Sequence, residues 1–265
     1  FALRFTARRA RRWTSWKVAN TAIGSISFLA LEAIGGAITL TWGFQTAVLV
    51  ILVVGLILFL TGLPISYYAA RYGVDIDLLT RGAGFGYIGS TITSLIYASF
   101  TFLFFALEAA ILAYALEFFF ALPITLGYIF LALVVIPLVT HGISKISTFQ
   151  AWTQPFWALL HALPFGLLFL AGHGLSDWTG FQGSTVQQGP PGDGFLPTLI
   201  AFGAASGVAL ALIAQIGEQV DFLRFLPEPK TRADRWRWWA ALIAAGPGWS
   251  VLGVVENALL AVSGL

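Results

Sequence analysis

Long apolar runs, separated by short polar connections, constrain the fold of this chain more than any other feature. Each run is close to the ~20 residues that a helix needs to cross the hydrocarbon core of a bilayer. Because backbone groups in lipid must be hydrogen-bonded within the segment, and the alternating pattern of barrel strands is absent, the runs predict helices. The seven predicted spans cover residues 18–41, 45–68, 91–118, 122–140, 156–171, 195–217 and 238–262.

The composition favours a bilayer over water as the solvent. Hydrophobic residues make up 58% of the chain and charged residues only 10%, which is too apolar for a soluble domain of 265 residues. The lack of cysteine excludes disulfides, thiol catalysis and thiolate metal ligands. We therefore interpret residues 1–265 as one transmembrane domain. Since methionine is also absent, even as an initiator, we expect the domain to be a fragment of a longer protein.

The basic residues predict the orientation of the chain. All 14 lysines and arginines lie before the first predicted span or after the second, fourth or sixth. Short cytoplasmic loops hold such residues, so the basic N-terminus (residues 1–17) and the loop at 221–237 are predicted to be cytoplasmic, and the loop at 172–194 extracytoplasmic. Tryptophans 236, 238 and 239 are typical of an interfacial belt. The sequence predicts a multi-pass protein of the bacterial inner (plasma) membrane whose basic residues face lipid headgroups rather than nucleic acid.

Three carboxyl groups fall at membrane depth, where an ionisable side chain needs a partner or a purpose. They are Glu32 in the first span, Glu108 in the third and Glu256 in the seventh. Two interpretations stay open for each: a functional site, or a protonated group in a packing contact. Glu117 and Glu218 lie nearer the span ends, where solvation explains them, and His161 is expected to be a packed, neutral histidine.

Small residues predict interruptions in two spans. Gly35 and Gly36 follow Glu32 in the first span, and Gly203, Ser206 and Gly207 lie in the sixth. Helices broken near the midplane expose backbone groups to substrate and ions, and helices one and six form the broken pair of an inverted five-plus-five repeat. Close helix packing by small residues is the alternative.

Two connecting segments resemble a known family of transporters. The first is Arg71-Tyr72-Gly73-Val74-Asp75 with Arg81 to Gly86 after it, and the second is Asp221-Phe222-Leu223-Arg224-Phe225. Both are similar to segments of the nucleobase:cation symporters, the purine and cytosine permeases of the amino acid-polyamine-cation transporter superfamily. The resemblance implies a LeuT-type fold, here the first repeat and the start of the second. It also implies an aromatic residue and, four residues later, a polar one on helix three, which correspond to Phe104 and Glu108.

The resulting hypothesis is a secondary active transporter that takes up a nucleobase-like or other small nitrogenous solute by alternating access. Na⁺ or H⁺ would be the coupling ion, and the bilayer the other partner. The predicted substrate-binding residues are Glu32, Gly35, Gly36, Phe104, Glu108, Gly203, Ser206 and Gly207. A transporter-like sensor domain that binds solute and signals to a cytoplasmic module is the alternative. An enzyme is not expected, because no nucleophile with a base, metal-ligand spacing or cofactor loop is recognisable.

Overall fold

The computed structural model of the protein describes residues 5–25, 28–140, 142–172, 179–184 and 195–263, and these ranges contain helices and turns but no β-strand. The helices are α1 (Ser15–Gly24), α2 (Leu29–Trp42), α3 (Phe44–Tyr72), α4 (Ile76–Thr80), α5 (Gly86–Phe120), α6 (Ile124–Thr140), α7 (Ile143–Leu170), α8 (Phe195–Leu210), α9 (Gln215–Leu223), α10 (Arg232–Ala245) and α11 (Gly248–Ser263). A π-helical turn joins α4 to α5 at Arg81–Phe85, and a 3-10 turn joins α8 to α9 at Ala211–Ala214.

Three stretches of the described chain are long and apolar enough to cross a membrane: Phe44–Tyr72, Ile76–Phe120 and Thr198–Leu223. The pairs α1–α2 and α10–α11 are bent by 50° and 48°, and counting each pair as one span raises the number to five. This count leaves out α6 and α7. The prediction of an all-helical membrane protein is therefore confirmed in its coarse form, while the seven spans and the five-plus-five repeat stay predictions.

Glycine residues bound the long helix α3 at both ends. Gly43, with a φ of 84°, is the single residue between α2 and α3, and Gly73, with a φ of 66°, follows the last turn. The Gly73 amide donates a 2.8 Å hydrogen bond to the Ala69 carbonyl, which is the usual left-handed glycine end of a helix. Positive φ angles favour glycine because it lacks a β-carbon. These two residues therefore fix where α3 begins and ends.

The helices bury two apolar clusters. The first contains Leu31, Ile38, Val54, Ile216 and Trp249, contributed by α2, α3, α9 and α11. The second contains Val18, Val220, Leu223 and Leu242, contributed by α1, α9 and α10. Helix α5, by contrast, has only three residues that are buried within the described part of the chain: Ser90, Phe100 and Ala113. The packed core thus lies against one side of α5.

The basic N-terminal segment is anchored by one buried arginine. Arg11 is 8% exposed, and its guanidinium donates to the carbonyl oxygens of Thr6 (3.1 Å) and Ala70 (3.0 Å). The Ala70 carbonyl belongs to the last turn of α3, where helix carbonyls lack helical partners and a cation is favourable. Burial lowers the pKa of Arg11 from its ordinary value, although the carboxylate of Glu228 opposes this effect. The segment is therefore held against the end of α3.

Part of the predicted extracytoplasmic loop packs against the α2–α3 turn. The Phe44 amide donates a 3.0 Å hydrogen bond to the Phe181 carbonyl. A β-carbon on Gly183 would lie 2.3 Å from the Thr41 carbonyl oxygen, so this glycine is needed for the close approach of the two backbones. Within the predicted loop the structure describes residues 172 and 179–184, and the stretch 181–183 therefore lies on the same side of the protein as the α2–α3 turn.

The predicted orientation can be tested with single cysteines, because the chain has none of its own. We expect a cysteine at Lys145, which is exposed in the first turn of α7, to react with an impermeant maleimide only when the reagent reaches the cytoplasmic face. A cysteine at exposed Gln182 should react from the outer face; Gly183 is unsuitable, because a side chain there would clash. Labelling of position 145 from outside would contradict the orientation and the helix count.

Candidate functional site

Helix one is interrupted between α1 and α2, and a carboxyl group from α5 occupies the end that this break exposes. Phe28 has an extended backbone, with φ −135° and ψ 138°, immediately before α2. The Ala30 amide donates a 2.6 Å hydrogen bond to Oε1 of Glu108. The first amides of a helix have no partner within the helix and carry a partial positive charge, so a carboxylate is well placed there. Glu108 thus links the middle of α5 to the start of α2.

Phe104 lies one turn before Glu108 and contacts the same break. Its ring packs edge-on against Phe28, with the ring centroids 5.6 Å apart, and lies 4.4 Å from the ring of Phe100. Residues four apart share a helical face, which explains why Phe104 and Glu108 both meet the start of α2. The structure therefore brings these two predicted site residues together with Phe28, a residue that the sequence analysis did not single out.

Glu32 lies in the first turn of α2 and pairs with a residue of α7. Its Oε1 is 2.8 Å from Nε2 of His161, and both side chains are largely buried. The His161 ring also contacts the Trp157 ring, with the centroids 4.6 Å apart. Glu32 and Glu108 are close enough to interact electrostatically. The break therefore gathers two carboxyl groups and an imidazole, groups that can exchange protons.

The span Thr198–Leu223 is not broken, but it tightens into a 3-10 turn at Ala211–Ala214, and polar residues follow this turn directly. Gln215 and Gln219 are 2% and 1% exposed, and the Gln215 amide donates a 2.8 Å hydrogen bond to Glu218. The Gln219 amide donates to Oγ of Ser25 across 3.2 Å, while its carbonyl oxygen has no partner among the described residues. Since Ser25 follows α1, this contact joins the break in helix one to α9.

Neither glutamine is among the predicted site residues, and the sequence predicts a solvated position near a span end for Glu218. The structure instead places Glu218 inside the bundle, bonded to Gln215, with Tyr97 of α5 packed on the same turn. A recognisable signal was present, because polar side chains at 215, 218 and 219 share one face of a helix within a largely apolar span.

The glycine positions predicted for the two breaks are wrong. Both Gly35 and Gly36 lie inside α2, and Gly203, Ser206 and Gly207 lie inside α8. Gly203 and Gly207 face open space among the described residues, so they contact neither the break in helix one nor the 3-10 turn. A glycine costs a helix only about 1 kcal/mol. An unpaired backbone group in lipid costs several kcal/mol, so a helix continues through glycine unless other groups satisfy its ends.

Of the remaining candidate carboxyl groups, the one whose side chain is described, Glu117, does not join the site. Glu117 is exposed at the far end of α5. The backbone of Glu256 belongs to α11, but its side chain lies outside the described residues.

The two segments that carry the family resemblance meet at the cytoplasmic end predicted for the bundle. Asp75 accepts a 2.9 Å hydrogen bond from the Leu78 amide, which caps α4, and its other oxygen lies 3.2 Å from Arg224. Burial raises the pKa of Asp75 above its ordinary value, and the Leu78 amide and the Arg224 guanidinium oppose that rise. The ion pair therefore stabilises a carboxylate in a position that is otherwise unfavourable for charge.

Comparison of the chain with models of protein families, with curated proteins and with solved structures finds no match. The resemblance to the nucleobase:cation symporters stays a prediction.

Proposed function

We propose that the protein is the helical core of a secondary active transporter that couples the uptake of a small nitrogenous solute, such as a nucleobase, to a cation. The observation that carries the proposal is the contact between the break after α1 and the buried glutamines that follow the 3-10 turn, made by the Gln219 amide and the Ser25 hydroxyl. A broken helix next to buried amide side chains provides polar groups inside the membrane, as a solute site requires.

The chemistry of the residues at the break in helix one and on α9 suits a flat, nitrogen-rich solute. The rings of Phe28 and Phe104 offer faces and edges for stacking, and the free carbonyl oxygen of Gln219 can accept an N–H hydrogen bond. The Glu108 carboxylate is an acceptor for an amine or amide edge. A buried polar site gains selectivity because a solute without the matching groups leaves its partners unpaired.

Cation coupling is assigned to the carboxyl groups at the first break. A proton on Glu108 would weaken the hydrogen bond that its carboxyl oxygen accepts from the Ala30 amide. A bound cation would compete with that amide for the same oxygen. Either event changes the contact between α5 and α2. This gives the ion a direct means to alter the break at which the solute is proposed to bind.

The proposal is tested by direct binding to the full chain in detergent, with purines, pyrimidines and small amines as probes, with and without Na⁺ and at pH 6 and pH 8. We expect Gln219→Leu to weaken binding of the best probe by roughly tenfold or more, since one or two buried hydrogen bonds are lost. Gln45→Leu, at an exposed position near the outer end of α3, serves as the matched control and should leave affinity unchanged.

Uptake into proteoliposomes under an imposed ion gradient then separates transport from binding alone. Accumulation that requires the gradient supports a carrier. Binding without any gradient-driven accumulation would favour the sensor interpretation, and no binding of any probe class would contradict the proposed site.

A further inference from the structure

A cavity of about 650 Å³ lies where the end of α3 meets the start of α10, on the side predicted to be cytoplasmic. Three arginines from different parts of the chain line it, Arg8 before α1, Arg71 in α3 and Arg235 in α10, with Glu228 as their single carboxylate. The lining therefore carries a net charge of +2, the difference between three cations and one anion.

Only one of these three arginines is neutralised within the described chain. Nε of Arg8 lies 2.8 Å from Oε1 of Glu228. Arg71 donates to the hydroxyl of Tyr67 and lies over its ring, which leaves its charge unpaired. The Arg235 side chain has no hydrogen bond or ion pair among the residues that the structure describes. Two guanidinium groups are thus available to one anion.

Aromatic side chains form the wall behind these arginines. The rings of Tyr67 and Trp239 are stacked, with centroids 5.6 Å apart and planes 17° apart, and Trp238 packs edge-on against Trp239. Tyrosine and tryptophan concentrate at the level of lipid headgroups. The cavity therefore has the charge and the surroundings expected at the headgroup layer rather than in open solution.

A second cavity of about 650 Å³ adjoins the first and is largely apolar. Phe5, Tyr68, Leu78 and Leu79 contribute to it, and Tyr72 lines both cavities. An inorganic anion needs only the basic cavity. A phospholipid has both an anionic phosphate and a hydrocarbon chain, and the paired cavities match these two parts.

We propose that the two cavities together bind an anionic phospholipid of the cytoplasmic leaflet. The guanidinium groups of Arg71 and Arg235 hold the phosphate, to which the planar fork of arginine is well matched, and an acyl chain follows the apolar cavity beyond Tyr72. This site is separate from the break in helix one and does not depend on the proposed transport function.

The test is native mass spectrometry of the full chain in detergent, titrated with phosphatidylglycerol and, in parallel, with zwitterionic phosphatidylcholine. We expect one tightly retained phosphatidylglycerol and no comparable phosphatidylcholine. The double variant Arg71→Gln/Arg235→Gln should weaken phosphatidylglycerol binding roughly tenfold to thirtyfold, from the attraction of two arginines for an anionic headgroup. The matched control, Arg9→Gln/Arg232→Gln, removes the same charge from exposed positions outside the cavity and should bind within twofold of the parent.

Competition on the parent protein identifies the occupant. Neither millimolar inorganic phosphate nor glycerophosphoglycerol, the headgroup without acyl chains, should displace the lipid. Displacement by either would show a simple anion site and overturn the proposal. Equal losses in the cavity and control variants, or none in the cavity variant, would also overturn it, since binding would then reflect the basic surface as a whole or lie elsewhere.

Discussion

Replacing Glu108 by glutamine should leave the fold intact but weaken solute binding by roughly tenfold or more, with loss of its pH dependence. The glutamine carbonyl can still accept a hydrogen bond from the Ala30 amide, so the start of α2 stays capped. The substitution does remove the negative charge to which we assign cation coupling. The experiment is equilibrium binding of the best solute probe at pH 6 and pH 8. Affinity within about twofold of the parent at both pH values would make Glu108 a packing residue with no role in binding.

Two further variants separate charge from capping. Glu108→Leu removes the acceptor as well and leaves an amide of α2 unpaired, which should lower the free energy of unfolding by about 1–3 kcal/mol. Glu117→Gln makes the same chemical change as Glu108→Gln on the same helix, at an exposed position. It should bind like the parent, and a loss of affinity there would show that the effect of Glu108→Gln is not local.

Removal of the Arg224 guanidinium should cause the largest loss of stability among the changes considered. Arg224→Gln leaves the Asp75 carboxylate, 6% exposed, without its cation. Breaking such a pair costs about 3 kcal/mol or more, because the remaining charge stays buried. The free energy of unfolding should be measured in mixed detergent and denaturing surfactant. Lys230→Gln, a similar loss of charge in the following exposed loop, should change it by less than about 0.5 kcal/mol.

The same variant should show a defined pH dependence. Without Arg224 the pKa of Asp75 in the folded state rises further above its value in the unfolded chain, so the folded state binds more protons between those two values. Stability of the variant relative to the parent should therefore fall as the pH rises through that interval. The defect is expected to be larger at pH 8 than at pH 5, and Asp75→Asn combined with Arg224→Gln should recover most of the loss. A pH-independent defect would show that the lost packing of Arg224, and not the carboxylate, is responsible.

The sequence predicts local features well and distant contacts poorly in this protein. A separation of four residues was enough to place Phe104 and Glu108 on one face, because helical periodicity is a local property. The positions of the breaks could not be predicted from glycine, since the bilayer penalises unpaired backbone groups more strongly than helix propensity penalises glycine. The break at Phe28 is permitted by the carboxyl group of Glu108, which accepts the Ala30 amide although the two residues lie 78 positions apart in the sequence.

The contact between the two segments that carry the family resemblance is another distant contact that the sequence alone does not predict. Each segment was recognisable alone, but the pairing of Asp75 with Arg224 joins residues 149 apart and depends on how α3, α4 and α9 pack. The sequence alone places Asp75 only in a connecting segment. Its role as the cap of α4 and as the partner of Arg224 needs the fold.

The single-residue turn at Gly43 restricts how the two halves of helix one can move. Because α2 and α3 are joined by one residue and also share the first apolar cluster, they form a stiff hairpin, and the loop around Gly183 is pressed against its tip. Helix α1 has no such tie to α2 and instead packs against α7 and α10. The joint before Phe28 therefore separates a stiff α2–α3 hairpin from a helix that packs on other parts of the bundle. We expect any movement at this joint to shift α1 together with its neighbours relative to the hairpin.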